Sequence, residues 1–200
     1  ILAVAGASLA WILLSSDTSP TSGNVVEGIQ VHVLDVGNAD CMYITAGDRH
    51  MLIDAGDKEN AGKIISYLEE RKVRKLDLVV ATHPHADHIG GMAAVLTRFE
   101  VGNFLLSFMP EGYEPTTQTY LNLLQTLDER DIPVTDVKPG DQFALGEMVV
   151  DILGPVRDFT DINNQSVVCK VTFGDQQFLF MGDAEREAEQ ALLEAGADLT

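Results

Sequence analysis

The stretch ATHPHADHIGG, residues 81–91, decides how the rest of the chain is interpreted. Its polar side chains are His83, His85, Asp87 and His88, and the whole chain has only five histidines. Imidazole suits zinc and other first-row metals, and a carboxylate extends the choice to manganese or iron. Four such residues at this spacing do not comfortably bind one ion. The pattern therefore favours two adjacent ions, as in sites that hydrolyse with a metal-bound hydroxide.

The cluster lies at a predicted strand–loop–helix junction, which disfavours a chance run of surface histidines. The preceding LDLVVATH, residues 76–83, is continuously apolar, as in a strand buried on both faces. The following IGGMAAVLTRF, residues 89–99, predicts a helix. Such a junction can aim several side chains at one point while the scaffold stays rigid.

The segments on either side predict an α+β domain. Before the cluster come the strand-like IQVHVLDVG, a hairpin around Gly47-Asp48, and the amphipathic helix NAGKIISYLEERKV. After it come the strand VGNFLLSF, the helix TQTYLNLLQTLDERD, the strands QFALG and MVVDILGP, the hairpin SVVCKVTFGDQQFLFMGD and a last helix. Two groups of strands alternating with helices suggest a layered sandwich with the helices outside.

The first 28 residues differ in composition from the rest. Residues 1–14, ILAVAGASLAWILL, are almost purely apolar, and residues 15–28 form a polar tether. The run is shorter than the roughly 20 residues of a confident membrane span, and we interpret it as the remnant of a signal or membrane anchor. A buried helix is the alternative. We therefore expect a hydrolase domain at residues 29–200 that is extracytoplasmic and either membrane-anchored or secreted.

The charge balance is strongly acidic, with 31 Asp and Glu against 13 Lys and Arg and a formal charge of −18. This disfavours a non-specific nucleic-acid binding module, which normally has a basic surface. It does not exclude a metal-dependent nuclease, because bound cations reverse the charge locally. The two cysteines, Cys41 and Cys169, lie in apolar runs and are interpreted as buried hydrophobes, although pairing stays open.

The H-x-H-x-D-H pattern resembles the signature of the metallo-β-lactamase superfamily. The segment MLIDAG, residues 51–56, is similar to that superfamily's first motif, in which Asp54 would orient metal ligands. FLFMGDAE, residues 178–185, is similar to its fourth motif, in which Asp183 would bridge two metals. The alternative for Asp183 is an N-cap of the helix that follows it, which would be the preferred interpretation without the histidine cluster. The implied fold is a four-layer αββα sandwich.

Within the superfamily the sequence is most similar to the hydrolase domain of ComEC-type competence proteins and their stand-alone relatives. The similarity is carried by HVLDVGNADCMYI, THPHADHIGGM and NNQSVVCKVTFGDQQFLFMGDAE, which together span nearly everything after the tether. The first segment has Asn38 and Ala39 where the family usually has Gln and Gly, and it retains Asp40.

Two departures from the lactamase pattern matter for the chemistry. No histidine lies between His88 and Asp183, and INNQSVV stands where lactamase-type members have one. Asn164 or Ser166 could supply a neutral oxygen there, which would shift the preference from zinc toward manganese or magnesium. The alternative is that the asparagines only form a turn.

The second departure concerns the family's last motif, a K-x-G-H-H-G-S-like segment, which is not found up to Thr200. We therefore expect the sandwich to be C-terminally truncated, with one metal ligand further along.

The resemblance implies two divalent ions, zinc or manganese. His83, His85 and Asp183 would hold one ion, and Asp87, His88 and Asp183 the other. Asp87 and Asp183 are also the predicted catalytic residues.

Four supporting residues are predicted around these ligands: Asp40, Asp54, Asn164 and Ser166. The implied reaction is phosphodiester hydrolysis, with DNA as substrate, and a competence channel is a further candidate partner. The alternatives are another phosphodiester, an acyl substrate such as a lactam, lactone or thioester, and a non-catalytic interaction module.

Overall fold

The computed structural model describes residues 28–199, and its larger sheet has six strands in chain order. They are β1 (Ile29–Val33), β2 (Met42–Ala46), β3 (Arg49–Ile53), β4 (Lys75–Val80), β5 (Glu100–Leu106) and β6 (Val134–Asp136). β1 to β3 form an antiparallel meander, whereas β3 to β6 run parallel. Because parallel strands end at one edge, the loops that follow β3, β4 and β5 are neighbours.

The smaller sheet has four antiparallel strands in the order β10-β9-β8-β7. They are β7 (Gln142–Leu145), β8 (Met148–Gly154), β9 (Val168–Phe173) and β10 (Gln176–Phe180). β9 and β10 are joined by the two-residue turn Gly174-Asp175, in which Gly174 has a φ of +56°. A positive φ is what the tight hairpin turns require, so the glycine fixes the register of this pair.

Within the described part of the chain, five α-helices accompany the sheets: α1 (Ala61–Glu70), α2 (Ala86–Ile89), α3 (Met92–Arg98), α4 (Gln118–Glu129) and α5 (Arg186–Glu194). A short 3-10 helix, Lys58–Asn60, precedes α1. The longer helices bury one face at helical spacing, for example Tyr120, Leu123 and Leu127 of α4. The hydroxyl of Thr117 caps α4 by accepting the N–H of Tyr120 at 3.3 Å.

Two large cores and one small cluster lie between the four layers. One large core lies between the larger sheet and helices α1, α3 and α4, and the other lies between the two sheets. Adjacent residues of the central strands alternate between these cores: Val79 and Phe104 face the helices, whereas Val80 and Leu105 face the smaller sheet. A small third cluster lies under α5. The predicted αββα sandwich is therefore confirmed, and the continuous apolar run before the histidines is the strand buried on both faces.

Three short elements were not predicted. β6 has only three residues in a stretch interrupted by prolines, and α2 is a single turn inside the histidine cluster. The third is the 3-10 helix Lys58–Asn60. The predicted anchor and nearly all of the tether lie outside the described residues. Within residues 28–199 no helix is both long and apolar enough to cross a membrane.

Candidate metal centre

Two histidines of the cluster are buried side by side at the end of β4. His83 and His88 each expose 2% of their surface, and their ring centroids are 4.0 Å apart. His88 belongs to α2, whose carbonyl groups accept backbone hydrogen bonds from the loops after β1 and β3. Asp40 N–H reaches Asp87 O at 3.1 Å, and Ala55 N–H reaches His88 O at 2.8 Å. Two neighbouring loops therefore hold the short helix against the end of the sheet.

Asp183 brings a carboxylate to these histidines from the other sheet, because it follows β10. Its Oδ1 lies 3.3 Å from Nε2 of His88, and its Oδ2 lies 4.0 Å from Nε2 of His83. One ligand atom from each of the three residues lies within 4.8 Å of the others. The Asp183 side chain is 40% exposed, so the cluster is open to solvent on that side.

Asp54 is fully buried behind His88. Its Oδ2 accepts a hydrogen bond from Nδ1 of His88 at 2.8 Å, while the amide and hydroxyl of Thr82 donate to its two oxygens at 2.8 and 2.7 Å. With Nδ1 engaged in this way, the Nε2 atom of His88 is the one that faces Asp183. Asp54 has a φ of 57°, an uncommon conformation that its three hydrogen bonds help to hold.

The two buried histidines differ sharply in proton affinity. Burial, followed by the charges of His88 and His85, lowers the pKa of His83 to about 3. Burial also disfavours a charge on His88, but the hydrogen bond and charge of Asp54, aided by two more carboxylates, outweigh it and raise the pKa of His88 to about 9. Burial raises the pKa of Asp54, and its bonds from His88 and Thr82 oppose that rise. At neutral pH the His83 ring is therefore neutral, whereas His88 shares a proton with the carboxylates around it.

His85 and Asp87 flank the buried pair. Nδ1 of His85 lies 2.9 Å from Nε2 of His83, so both rings present a nitrogen to one point. Asp87 lies in the first turn of α2, and its charge acts on His88. The three residues that the structure groups most tightly thus come from both predicted ligand sets, His83 from one, His88 from the other and Asp183 from both.

Asp40 is a further carboxylate close to Asp54 and His88. A carboxylate oxygen of Asp40 lies within 4.8 Å of ligand atoms of Asp54 and His88. Because Thr82 and His88 already occupy the oxygens of Asp54, we interpret this group as support for the histidine. The supporting roles of Asp40 and Asp54 stay a prediction.

Two hydroxyls flank the other nitrogen of His83. Thr82 Oγ1 lies 3.2 Å and Ser166 Oγ 3.4 Å from its Nδ1, and Ser166 also accepts the N–H of Asp183 at 3.3 Å. Gly182, with a φ of +53°, lets the chain pass close to them, since a Cβ there would lie 2.7 Å from Thr82 and 3.0 Å from Ser166. Thr82 and Gly182 were not predicted, although each directly precedes a predicted ligand. Ser166, predicted as a neutral oxygen, is buried between two ligands.

Asn164 has a structural task that the sequence did not reveal. Its Oδ1 accepts the N–H groups of Glu185 at 3.1 Å and Ala188 at 3.2 Å, while its Nδ2 donates to Asp161 at 3.2 Å. The side chain therefore caps α5 from a different segment. The carbonyl lone pairs that a metal ion would require are used by the helix, so this structure does not place Asn164 as a direct ligand.

The remaining histidines of the described region lie elsewhere. His32 bonds to the hydroxyl of Tyr67 at 2.9 Å and His50 to that of Tyr43 at 2.7 Å, in a partly buried aromatic group beside α1. Burial is the main cause that lowers the pKa of both rings. Both rings are therefore bonded to tyrosines and not to the residues of the cluster.

The residues at the junction fit a divalent cation. Two imidazole nitrogens and a carboxylate converge, one histidine is oriented by a buried carboxylate, and the group opens to solvent on the Asp183 side. This is the usual construction of a catalytic metal site, with oriented ligands and an accessible face. A four-layer αββα sandwich with such a centre at its strand ends defines a class of metal-dependent hydrolases.

Comparison with known proteins agrees with this class. Residues 34–199 match the model of the metallo-beta-lactamase superfamily, and the chain belongs to that superfamily. Its members are metal-dependent hydrolases that bind divalent ions, often two.

Individual relatives are more distant. The chain is 26% identical over 185 residues to ComE operon protein 3 of Bacillus subtilis, a match covering 82% of this chain and 23% of that protein. The fold is similar to that of YhfI from B. subtilis, with a TM-score of 0.53, 17% identity, and coverage of 78% of this chain and 62% of that one. It is also similar to a HARLDQ-motif mutant of a metallo-beta-lactamase from Cronobacter sakazakii, with a TM-score of 0.51, 20% identity, and coverage of 75% and 60%. The chain thus spans less than a quarter of its curated relative and about three fifths of these structures.

Proposed function

We propose that this domain is a metal-dependent phosphodiesterase that cleaves DNA outside the cytoplasm. The observation that carries the proposal is the make-up of the site between His88 and Asp183. Residues 163–166, where lactamase-type members supply a histidine, contain amide side chains and the hydroxyl of Ser166, which lies 3.4 Å from Nδ1 of His83. An oxygen-rich site suits the harder cations that assist phosphoryl chemistry.

The similarity to ComE operon protein 3 supports DNA as the substrate. The match extends over 82% of this chain, and the motifs that carry the resemblance to competence proteins lie within it. A competence channel is accordingly the partner that we propose. The anchor predicted at residues 1–14 supports an extracytoplasmic position, and a protease-accessibility experiment on intact cells, with a cytoplasmic marker as control, tests that position.

The residues of the site would have different roles in this reaction. A divalent ion, when bound here, supplies a Lewis acid that activates water and neutralises phosphodiester charge. His83, His88 and Asp183 would hold it, and His85 is adjacent. Asp54 keeps the Nε2 atom of His88 directed at the cluster. Asp183 is exposed enough to meet substrate, and Asp87 adds a second carboxylate for proton transfer near the opening.

The acidic surface favours one competing substrate class. A formal charge of −18 slows the approach of a polyanion, so a small phosphodiester would meet less repulsion than DNA. An acyl substrate is the second candidate, because the fold itself is shared with lactamases. A non-catalytic module is the third candidate. The buried and oriented histidines disfavour it, because a pair of apolar side chains would serve a purely structural role equally well.

A substrate panel distinguishes these possibilities. The full chain, loaded with manganese or zinc, is tested on single-stranded DNA, bis-p-nitrophenyl phosphate, nitrocefin and a lactone. We expect metal-dependent cleavage of the two phosphodiesters, lost in His85→Ala and Asp183→Asn with the far-UV circular dichroism unchanged. Rapid nitrocefin or lactone cleavage with inert phosphodiesters would establish the acyl hydrolase instead. Metal analysis that finds no ion after loading would exclude both enzymes.

A further inference from the structure

Residues 163–166 contain three side chains whose tasks are evident. Asn164 caps α5, and Ser166 lies between His83 and Asp183. Gln165 accepts one hydrogen bond at 2.8 Å and donates two, at 2.9 and 3.0 Å, to the start of the loop that follows β5. Asn163, the remaining residue of this stretch, has a side-chain oxygen without a hydrogen-bond partner.

The Asn163 amide is oriented by Glu185. Its Nδ2 donates to Oε1 of Glu185 at 3.1 Å. An ionised carboxylate only accepts hydrogen bonds, so the amide nitrogen must be on that side and Oδ1 on the other. Among the buried side-chain nitrogen and oxygen atoms of residues 28–199, Oδ1 of Asn163 is the one that has no hydrogen-bond partner. Such an acceptor costs stability unless a donor or a cation meets it.

The location of this acceptor connects it with the metal centre. The carbonyl of Asn163 accepts the N–H of Ser166 at 3.0 Å, so the two residues lie on a single turn. Ser166 contacts His83 and the backbone of Asp183, and Glu185 follows Asp183 by two residues. Asn163 is thus hydrogen-bonded to Ser166, which contacts His83 and Asp183, and to Glu185, which belongs to the segment of Asp183.

We propose that Oδ1 of Asn163 is a neutral oxygen that takes the divalent cation, directly or through one bridging water. Amide oxygens are ordinary ligands of hard cations, and the carboxylates of Asp183 and Glu185 make this end of the cluster attractive to positive charge. The assignment moves the neutral oxygen predicted from the sequence away from Asn164, whose oxygen caps a helix. It rests on the metal dependence of the proposed function.

Asn163→Leu tests the assignment because metal binding and stability should respond differently. Leucine has a similar size and removes the unpartnered oxygen. We expect Mn²⁺ affinity, measured from the electron paramagnetic resonance of free Mn²⁺, to fall about tenfold or more, as with supporting residues of other metal sites. The metal-free variant should unfold at a temperature no lower than that of Glu185→Ala, which loses the same amide–carboxylate bond. Affinity equal to that of the wild type would overturn the assignment.

A swapped pair, Asn163→Asp with Glu185→Gln, provides the matched control. It conserves the net charge and the hydrogen bond between the two side chains, but places a carboxylate oxygen where the amide oxygen was. Mn²⁺ affinity should equal or exceed that of the wild type, and a loss as large as that of Asn163→Leu would contradict the proposal. The swap also decides the question if the leucine variant does not fold.

The outcome is separable from that of the substrate panel. If wild-type protein cleaves phosphodiesters and all Asn163 variants bind Mn²⁺ equally, the assignment fails and the proposed function stands. If the wild type cleaves only nitrocefin but Asn163→Leu binds Mn²⁺ weakly, the proposed function fails and the assignment stands.

Discussion

At the scale of single residues, the metal centre contains two histidines, His83 and His88, whose surroundings give them very different pKa values. His83 is buried among other imidazoles, which lowers its pKa to about 3, whereas hydrogen bonding to Asp54 raises that of His88 to about 9. Asp54 attracts the proton of one ring and leaves the other neutral. A cation that binds both rings therefore competes with a proton at His88 alone.

This competition predicts the pH dependence of metal binding. Because His88 is protonated below about pH 9, Mn²⁺ or Zn²⁺ affinity should fall as the pH is lowered from there, by about tenfold per unit when one proton is displaced. His83 adds no competition until far lower pH, since its pKa is about 3.

Chelator competition across a pH series measures the effect. Asp54→Asn, which removes the carboxylate charge beside His88, should shift the onset of the decline to lower pH. An affinity that does not vary between neutral and mildly alkaline pH would contradict the prediction.

The cysteines give a second prediction at this scale. Both are free and fully buried, Cys41 in the core beneath the helices and Cys169 in the core between the sheets. Burial raises both pKa values, that of Cys169 to about 12, so neither forms a thiolate near neutral pH. Ellman's reagent should detect no thiol in the folded protein and both in denaturant. Reaction of either thiol before unfolding would contradict this placement.

At the scale of elements, α5 is capped by a side chain from the loop that precedes β9 and not by a residue of its own segment. Glu185 occupies the cap position without a capping side-chain bond, and Asn164, twenty-one residues earlier, provides the acceptor. The helix begins three residues after Asp183, so the position of its start also affects the position of that carboxylate.

We expect Asn164→Ala to destabilise the protein by about 1–2 kcal/mol, because two N–H groups lose their acceptor in a buried site. Urea unfolding measures the loss. Thr117→Ala, which removes the more exposed cap of α4, is the comparison and should cost less. An equal or smaller loss for Asn164→Ala would show that water replaces its amide.

The sequence predicted these elements where periodicity is long enough to be read. α1, α4 and the β9–β10 hairpin extend over several repeats of their pattern, whereas β6 and α2 have three and four residues. The same difference between local and non-local information applies to the residues of the site. The histidine cluster is local, and motif resemblance added Asp54 and Asp183. The cap by Asn164 and the free oxygen of Asn163 depend on which segments meet in space, and no pattern in one sequence shows this.

At the scale of the whole molecule, the centre lies where the two sheets meet. The histidines and Asp54 follow strands of the larger sheet, and Asp183 follows the last strand of the smaller one. Gly182 lies at the contact itself, where a Cβ would be 2.7 Å from the side chain of Thr82.

Gly182→Ala should therefore weaken metal binding as well as stability. Its control is Gly174→Ala in the β9–β10 turn, which has a similar φ of +56° but open space around the added carbon. Both substitutions cost roughly 1 kcal/mol of backbone strain, but only the first displaces Asp183 from the histidines. The rise in melting temperature on adding Mn²⁺ should be reduced in Gly182→Ala and unchanged in Gly174→Ala. Equal responses of the two variants would contradict this role.

The division of the ligands between the two sheets also has a consequence for the order of assembly. Neither half of the sandwich holds a complete ligand set, so a newly made chain gains little from a cation until both halves have folded and docked. An ion would then stabilise the contact between the two sheets late in folding, and it would not nucleate the folding of the chain. Partly folded forms would therefore lack a complete metal site and the chemistry that depends on it.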